Sequence, residues 1–351
     1  MCAIASSRHC FIVVRVSAVN QHEEFLAAED SVSFADFMAY ALHDPVRGYY
    51  ARRISDVGAR GDFTTSAEIS PALAKAVAVW AARELRETKC RDLIELGPGS
   101  GALAVAVWEN LPWSLRWRTR LHLVESSVGL RARQRSRKEL RHVQWHETVE
   151  AALAACGGRA CLYSNEFFDA FPVRVFGRQG SSWRELFVKK SEHGVMQEKF
   201  REVNDLPDST LWSISFAEGQ RVEVADAVRL WLENFQRVWK AGSMVAIDYG
   251  DLVETLYYRR LRGTVRGYLA QQRIEGEGIY QNIGRQDLTA DVNFSDLMHW
   301  SHGFASRQKC ETQREFLLPH ANSSHRGDVY AMDPLGVGSA FRVWHLRKQE
   351  S

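Results

Sequence analysis

Long apolar runs are scarce in this 351-residue chain. The longest near its start, Cys10 to Val19, is broken by Arg15 and falls short of a bilayer span, so no membrane insertion is expected. That stretch also lacks a small-residue cleavage site, which argues against a secretory signal. An excess of one charge is missing too: 45 Lys and Arg face 43 Asp and Glu, for a net charge of +2. A chain so balanced gives no reason to expect a nucleic-acid partner from net charge. The six cysteines, Cys2, Cys10, Cys90, Cys156, Cys161 and Cys310, include no C-x-x-C pair, and no histidine stands at zinc-finger spacing. The expectation is a reduced cytoplasmic protein without a metal site. Residues 1–20 hold Arg8 and Arg15 but no acid, which keeps the mitochondrial matrix as the alternative address.

What is present is a globular composition, 45% hydrophobic and 25% charged. Ser33 with Asp36 reads as a helix start, and Phe34, Phe37, Met38, Ala41 and Leu42 share one helical face until Asp44-Pro45 stops it. Ser70-Pro71 reads as an N-cap and first helical residue. From Asp92 onward short strands alternate with helices: Asp92–Leu96, Leu121–Val124, Val143–Trp145, Ala160–Tyr163 and Met244–Ile247. That rhythm predicts an α/β fold with a mainly parallel sheet covered on both faces. The expected organisation is an uncertain extension over 1–30, a helical cap with a cofactor-covering loop over 31–90, and a core over 91–351. Insertions at about 173–214, read as hairpins, and at 251–290 would cover the ligand crevice. The basic run Arg131, Arg133, Arg135, Arg137, Lys138 and Arg141 has no interleaved aromatic residue and reads as a solvated face.

The chemistry concentrates where the first strand meets its helix, in Glu95-Leu96-Gly97-Pro98-Gly99-Ser100-Gly101. Glycines there let a ligand approach backbone N–H groups at the helix start. Gly97, Gly99 and Ala102 also satisfy the dinucleotide pattern, so a nicotinamide oxidoreductase has to be weighed. Glu95 disfavours it, because an acid repels a pyrophosphate but suits the ammonium and sulfonium of S-adenosyl-L-methionine. Glu125, at the end of the second strand and followed by Ser126, is placed to accept hydrogen bonds from ribose hydroxyls, which either cofactor offers. No Gly-Lys-Ser/Thr follows the turn, and Ser100 is not the centre of G-x-S-x-G, so neither a P-loop nor a nucleophile elbow is present.

Several passages in order resemble the MidA family of methyltransferases, which includes a mitochondrial protein arginine methyltransferase involved in complex I assembly. They are Tyr40 to Pro45 with Gly48-Tyr49-Tyr50, Gly61 to Pro71, the glycine turn, His122 to Glu125, and Ser164 to Val173. Ile247 to Gly250, Arg262 to Arg266 and Gln286 to Ala290 complete the set. The resemblance implies a Rossmann-like S-adenosyl-L-methionine-dependent methyltransferase with an N-terminal helical cap. It implies a protein substrate as well, with a respiratory-complex subunit as the candidate.

Under that reading Glu95, Gly97, Gly99, Gly101, Glu125, Ser126 and Asn165 form the cofactor cradle, and Gly61, Asp62, Phe63 and Thr64 a turn over it. Glu166 and Asp169 are candidate catalytic residues, because two carboxylates three positions apart can clamp an arginine guanidinium. Tyr249, a third catalytic candidate, and Asp248 end the fifth strand and would line the same crevice. Arg266 and Gln286-Asp287 would belong to its lid. Asp291 stands where the family pattern carries a histidine, and Asn293 where an aspartate is frequent. These departures leave a catalytically silent assembly factor as the alternative.

Overall fold

The computed structural model describes residues 31–52, 70–193 and 195–349. Its main sheet is built from β1 (Asp92–Leu96), β2 (Arg120–Val124), β3 (Gln144–His146), β4 (Cys161–Asn165), β5 (Gly242–Asp251), β6 (Arg307–Thr312) and β7 (Phe341–Lys348). Their spatial order is β6-β7-β5-β4-β1-β2-β3, and a short strand, Val292–Asn293, joins the end of β5. The five strands from β3 to β5 are parallel, whereas β7 lies antiparallel to both β5 and β6. The third strand begins one residue later than expected, and β5 extends well past Met244–Ile247 because β7 pairs along its length from Gly242 to Tyr249.

The longer helices are α1 (Phe34–His43), α2 (Pro71–Thr88), α3 (Ala102–Asn110), α4 (Val128–Arg135), α5 (Val149–Ala155), α6 (Asp226–Val238) and α7 (Phe294–Ser301), and two of them show how the main sheet is covered. On one face Leu73, Val77, Trp80 and Leu85 of α2 pack with Leu103, Val107 and Val343. On the other, Val228, Trp231, Leu232 and Phe235 of α6 pack with Ile94, Leu162, Ala246 and Trp344. Burial on both faces explains why every residue of β1 and β4 is buried, and each large apolar side chain removed from water stabilises by about 1.5–3 kcal/mol.

Ser33 caps α1 as its spacing implied, accepting the Asp36 N–H. The start of α2 differs: Ser70 makes no cap hydrogen bond, and its hydroxyl donates to Asp328 Oδ1 at 2.7 Å. The same carboxylate accepts the Ala72 N–H at 3.1 Å and so caps the helix from far along the chain. Beside the main sheet, Arg174–Gln179, Ser182–Lys190, Met196–Glu202 and Arg221–Val224 form an antiparallel sheet that also takes in Val32–Ser33. Helix α1 lies on it through Phe34, Phe37, Met38 and Leu42 against Val173, Val175, Leu186 and Val188. Residues 251–290 include a three-stranded sheet of Arg266–Leu269, Gln272–Ile274 and Asp287–Thr289.

Candidate active site

Strand order reverses beside β1, with β2 on one side and β4 on the other, and a crevice opens there at the carboxyl ends of the strands. The turn leaving β1 places Gly97, Gly99 and Gly101 at φ of 63°, 50° and 74°, a region that side chains with a Cβ enter at a cost. A Cβ on Gly99 would meet no atom within 4 Å, so it would project into the open space of the crevice. Gly101 is different: it caps α3 and faces Leu140 and Gln134, away from the ligand space.

Two acids stand at the ends of the adjoining strands. Glu95 is buried and accepts a hydrogen bond from the Tyr163 hydroxyl at 2.9 Å. Burial pushes its carboxyl up to about 8; the Tyr163 bond opposes this, and the Glu125 charge adds to it. Glu125 accepts the Ser127 N–H at 3.0 Å and a Gln134 amide hydrogen at 3.4 Å, and burial still raises it to about 7. Ser126 beside it is exposed on the rim.

The end of β4 supplies the other wall. Glu166 has φ of 55°, a left-handed conformation that is unfavourable by about 1–2 kcal/mol for a residue with a Cβ. Asp248 holds this bend: its Oδ2 accepts the N–H groups of Phe167 at 3.0 Å and Phe168 at 2.8 Å. Asp248 is fully buried, and burial followed by the nearby Asp169 charge raises its carboxyl well above the usual range. Contrary to the expectation that it lines the crevice, it lies behind the wall and positions residues that do line it. Asn165 Nδ2 donates to Glu166 Oε1 at 2.8 Å, while Asn165 Oδ1 is buried without a partner among the described residues.

Asp169 accepts from the Thr289 hydroxyl at 2.9 Å, and burial lifts it to about 6 against that bond and the Arg266 charge. Asp287 accepts from the Tyr50 hydroxyl at 3.3 Å and is lifted to about 7, by burial and then by Asp169. Tyr50 in turn stacks on His43, with ring centroids 5.5 Å apart.

These groups enclose a cavity of about 950 Å³. Its described lining includes eight acids, Asp44, Glu95, Glu125, Glu147, Glu150, Glu166, Asp169 and Asp287, and no Lys or Arg. Such a wall repels a pyrophosphate and attracts cations. Of the residues singled out in the sequence, Glu95, Gly97, Gly99, Glu125, Ser126, Asn165, Glu166 and Asp169 line it together. Tyr249 is not on the lining: its ring packs on Phe341 at 3.9 Å between centroids, and the Arg266 guanidinium lies over the same ring, 5.2 Å from its centroid. Gly61, Asp62, Phe63 and Thr64 lie outside the described residues. Sequence reasoning gave no role in the site to His43, Tyr50, Glu147 or Trp231, the last of which it read as core packing. Only the passage Gly48-Tyr49-Tyr50 had marked Tyr50 at all.

The two departures from the family pattern have structural uses here. Asp291 is buried between Arg266 and Arg260 and pairs with both. Asn293 caps α7, accepting the N–H groups of Ser295 and Asp296. Neither borders the cavity.

The donor set fits S-adenosyl-L-methionine: Gly99 leaves room at the turn, Glu125 offers a carboxylate on the cavity wall that suits ribose hydroxyls, and Glu95 with the unpartnered Asn165 Oδ1 suits an ammonium. Comparison with known proteins agrees. The profile of a family described as S-adenosyl-L-methionine-dependent methyltransferases matches residues 76–310. A Danio rerio protein named protein arginine methyltransferase NDUFAF7, mitochondrial, is 30% identical over 326 residues, spanning 83% of this chain and 74% of its own. The Homo sapiens protein of that name is 28% identical over 366 residues, spanning 90% and 80%. A Burkholderia thailandensis protein solved with S-adenosyl-homocysteine superposes with a TM-score of 0.78 at 24% identity, covering 93% of this chain and 90% of that one, a likeness of fold.

Proposed function

The chain belongs to this family of S-adenosyl-L-methionine-dependent methyltransferases, and from that premise we propose that it methylates an arginine side chain of a protein partner. One observation carries the choice of a cationic acceptor: the described cavity wall holds eight acids and no Lys or Arg. Relatives named protein arginine methyltransferases support the same reading. They are also named mitochondrial, which does not support the cytoplasmic expectation drawn from the thiols. Together with Arg8 and Arg15 in an acid-free start, this favours the mitochondrial matrix, where a respiratory-complex subunit is the candidate partner.

When bound, the cofactor supplies an electrophilic methyl group. The glycine turn would admit it, Glu125 would accept hydrogen bonds from its ribose, and Glu95 and Asn165 would accept from its ammonium. Glu166 and Asp169 hold the guanidinium by charge-assisted bonds and aim one nitrogen along the line of attack. Asp248 fixes that geometry through the backbone of Phe167 and Phe168. A proton leaves the methylated nitrogen. Asp169 and Asp287, lifted to about 6 and about 7, are matched to receive it near neutral pH.

The test is methyl transfer from labelled S-adenosyl-L-methionine to arginine-containing peptides and to the same peptides with lysine, read by mass spectrometry. Arginine peptides gain methyl groups and lysine peptides do not. Glu166→Gln and Asp169→Asn each lower kcat/KM by about a hundredfold with cofactor affinity kept. Tight cofactor binding with no transfer to any arginine would favour the silent assembly factor.

A further inference from the structure

The sheet edge at β2 and β3 carries a surface that methyl transfer does not use. Over residues 110–146 the chain has nine Lys and Arg against two acids, Glu125 and Glu139; Glu125 and Arg131 are buried, and Arg120 is paired with Asp92. On a chain whose net charge is +2, this is a strong segregation of one sign. In the connection from α3 to β2, the short helix Trp113–Arg116 leaves Trp113 71% exposed and Trp117 85% exposed. One helical turn apart, these indoles lie on the same side. Arg116 and Arg118 are their chain neighbours, and Arg133, Arg135, Lys138 and Arg141 are exposed on the adjoining segment. Trp108 ties the two segments together, with its ring centroid 4.5 Å from that of His142. Glu109, Glu139 and Glu147 are the exposed acids that border or interrupt the face, and Glu147 pairs with Arg131.

Large aromatic rings this bare are unusual, since burying one contributes heavily to folding or binding. Pairing this face with a second copy would set cations against cations, so the partner must be anionic. With no wall around the indoles, the partner must also supply nearly all of their burial. A bilayer headgroup layer does this without a shaped pocket: it accepts amphipathic indoles, and its anionic lipids attract each Arg or Lys. Single-stranded nucleic acid would meet the same charge, but it stacks on aromatic platforms along a groove, whereas these rings stand out from a turn.

We propose that this face docks peripherally on an anionic lipid surface, with Trp113 and Trp117 in the headgroup layer and the flanking arginines on lipid phosphates. Among the described residues no helix is long and apolar enough to cross a membrane, so the contact is at the surface. Trp117 precedes the first residue of β2, and the cavity lies beyond its last, Val124. That strand separates the two by roughly 15 Å. Docking therefore leaves the cavity accessible.

The whole chain is co-sedimented with phosphatidylcholine vesicles and with vesicles that also contain phosphatidylglycerol. Binding is expected to be at least tenfold tighter to the anionic vesicles and to weaken as salt is added. Trp113→Ala/Trp117→Ala and Arg116→Gln/Arg118→Gln should each weaken it about tenfold or more, with unchanged melting temperature. Equal or absent binding to the two vesicle types would overturn the proposal, as would anionic binding that survives both double variants. Capture of a single-stranded RNA without vesicle binding, or dimerisation lost in the tryptophan variant, would also overturn it.

Discussion

At the residue scale the site turns on Glu95, an acid almost entirely buried at the foot of the cavity. Its carboxyl, near 4.5 when free, sits at about 8 in the folded chain, and that of Glu125 at about 7. A raised carboxyl contributes stability that is fully present below its unfolded value and is lost as pH rises through the folded one. The ligand-free chain is therefore expected to lose stability between about pH 5 and 8, and Glu95→Gln to melt higher than wild type at pH 8. A cationic ligand favours the ionised form, so affinity for S-adenosyl-homocysteine should rise over the same interval with proton release. Titration calorimetry in buffers of different ionisation enthalpy checks this, and Glu95→Gln should flatten the profile. Gly99→Val is expected to abolish cofactor binding, because a branched side chain at φ of 50° is strained and fills the crevice. Glu95, Glu125 and the glycines were legible because their spacing is local. Tyr50 and Asp287 were not read as partners, because 237 positions separate them and only the folded chain brings them within 3.3 Å.

At the scale of elements the alternation of strands and helices was legible, since period and punctuation are local signals. Caps and pegs supplied from a distance were not. Asp328, which caps α2 across 256 positions, looks in the sequence like any surface acid. Asp328→Ala is expected to lower stability by about 1–3 kcal/mol, read as a drop of several degrees in melting temperature, with cofactor affinity retained. Asp248 gives a different signature. Removing its carboxylate frees the Phe167 and Phe168 N–H groups and lets the Glu166 bend relax. Asp248→Ala should therefore cut kcat more than it weakens cofactor binding, which steady-state kinetics beside calorimetry would separate. An equal loss in both would mean that the bend serves the whole fold, not the acceptor alone.

At the scale of the molecule, two acid-bearing regions distant in sequence close on one cavity. The turn after β1 and the end of β2 bring Glu95 and Glu125, while the bend after β4 and the strand Asp287–Thr289 bring Glu166, Asp169 and Asp287. Net charge hid this. A total of +2 conceals an acid-lined cavity on one side of the chain and a cationic sheet edge on another. The basic segment was read as an ordinary solvated face because its aromatic neighbours, Trp113 and Trp117, come from a separate stretch of sequence. Electrostatics of this kind make acceptor binding salt-sensitive: KM for an arginine peptide should rise several-fold from low to physiological ionic strength.

The most direct test of the account is calorimetric titration of the purified chain with S-adenosyl-homocysteine and, separately, with NAD. Binding of S-adenosyl-homocysteine that strengthens as pH rises from about 6 to 8 and disappears in Gly99→Val, with no heat from NAD, is the predicted result. Binding of NAD, or S-adenosyl-homocysteine binding indifferent to Gly99→Val, would contradict the cavity assigned here.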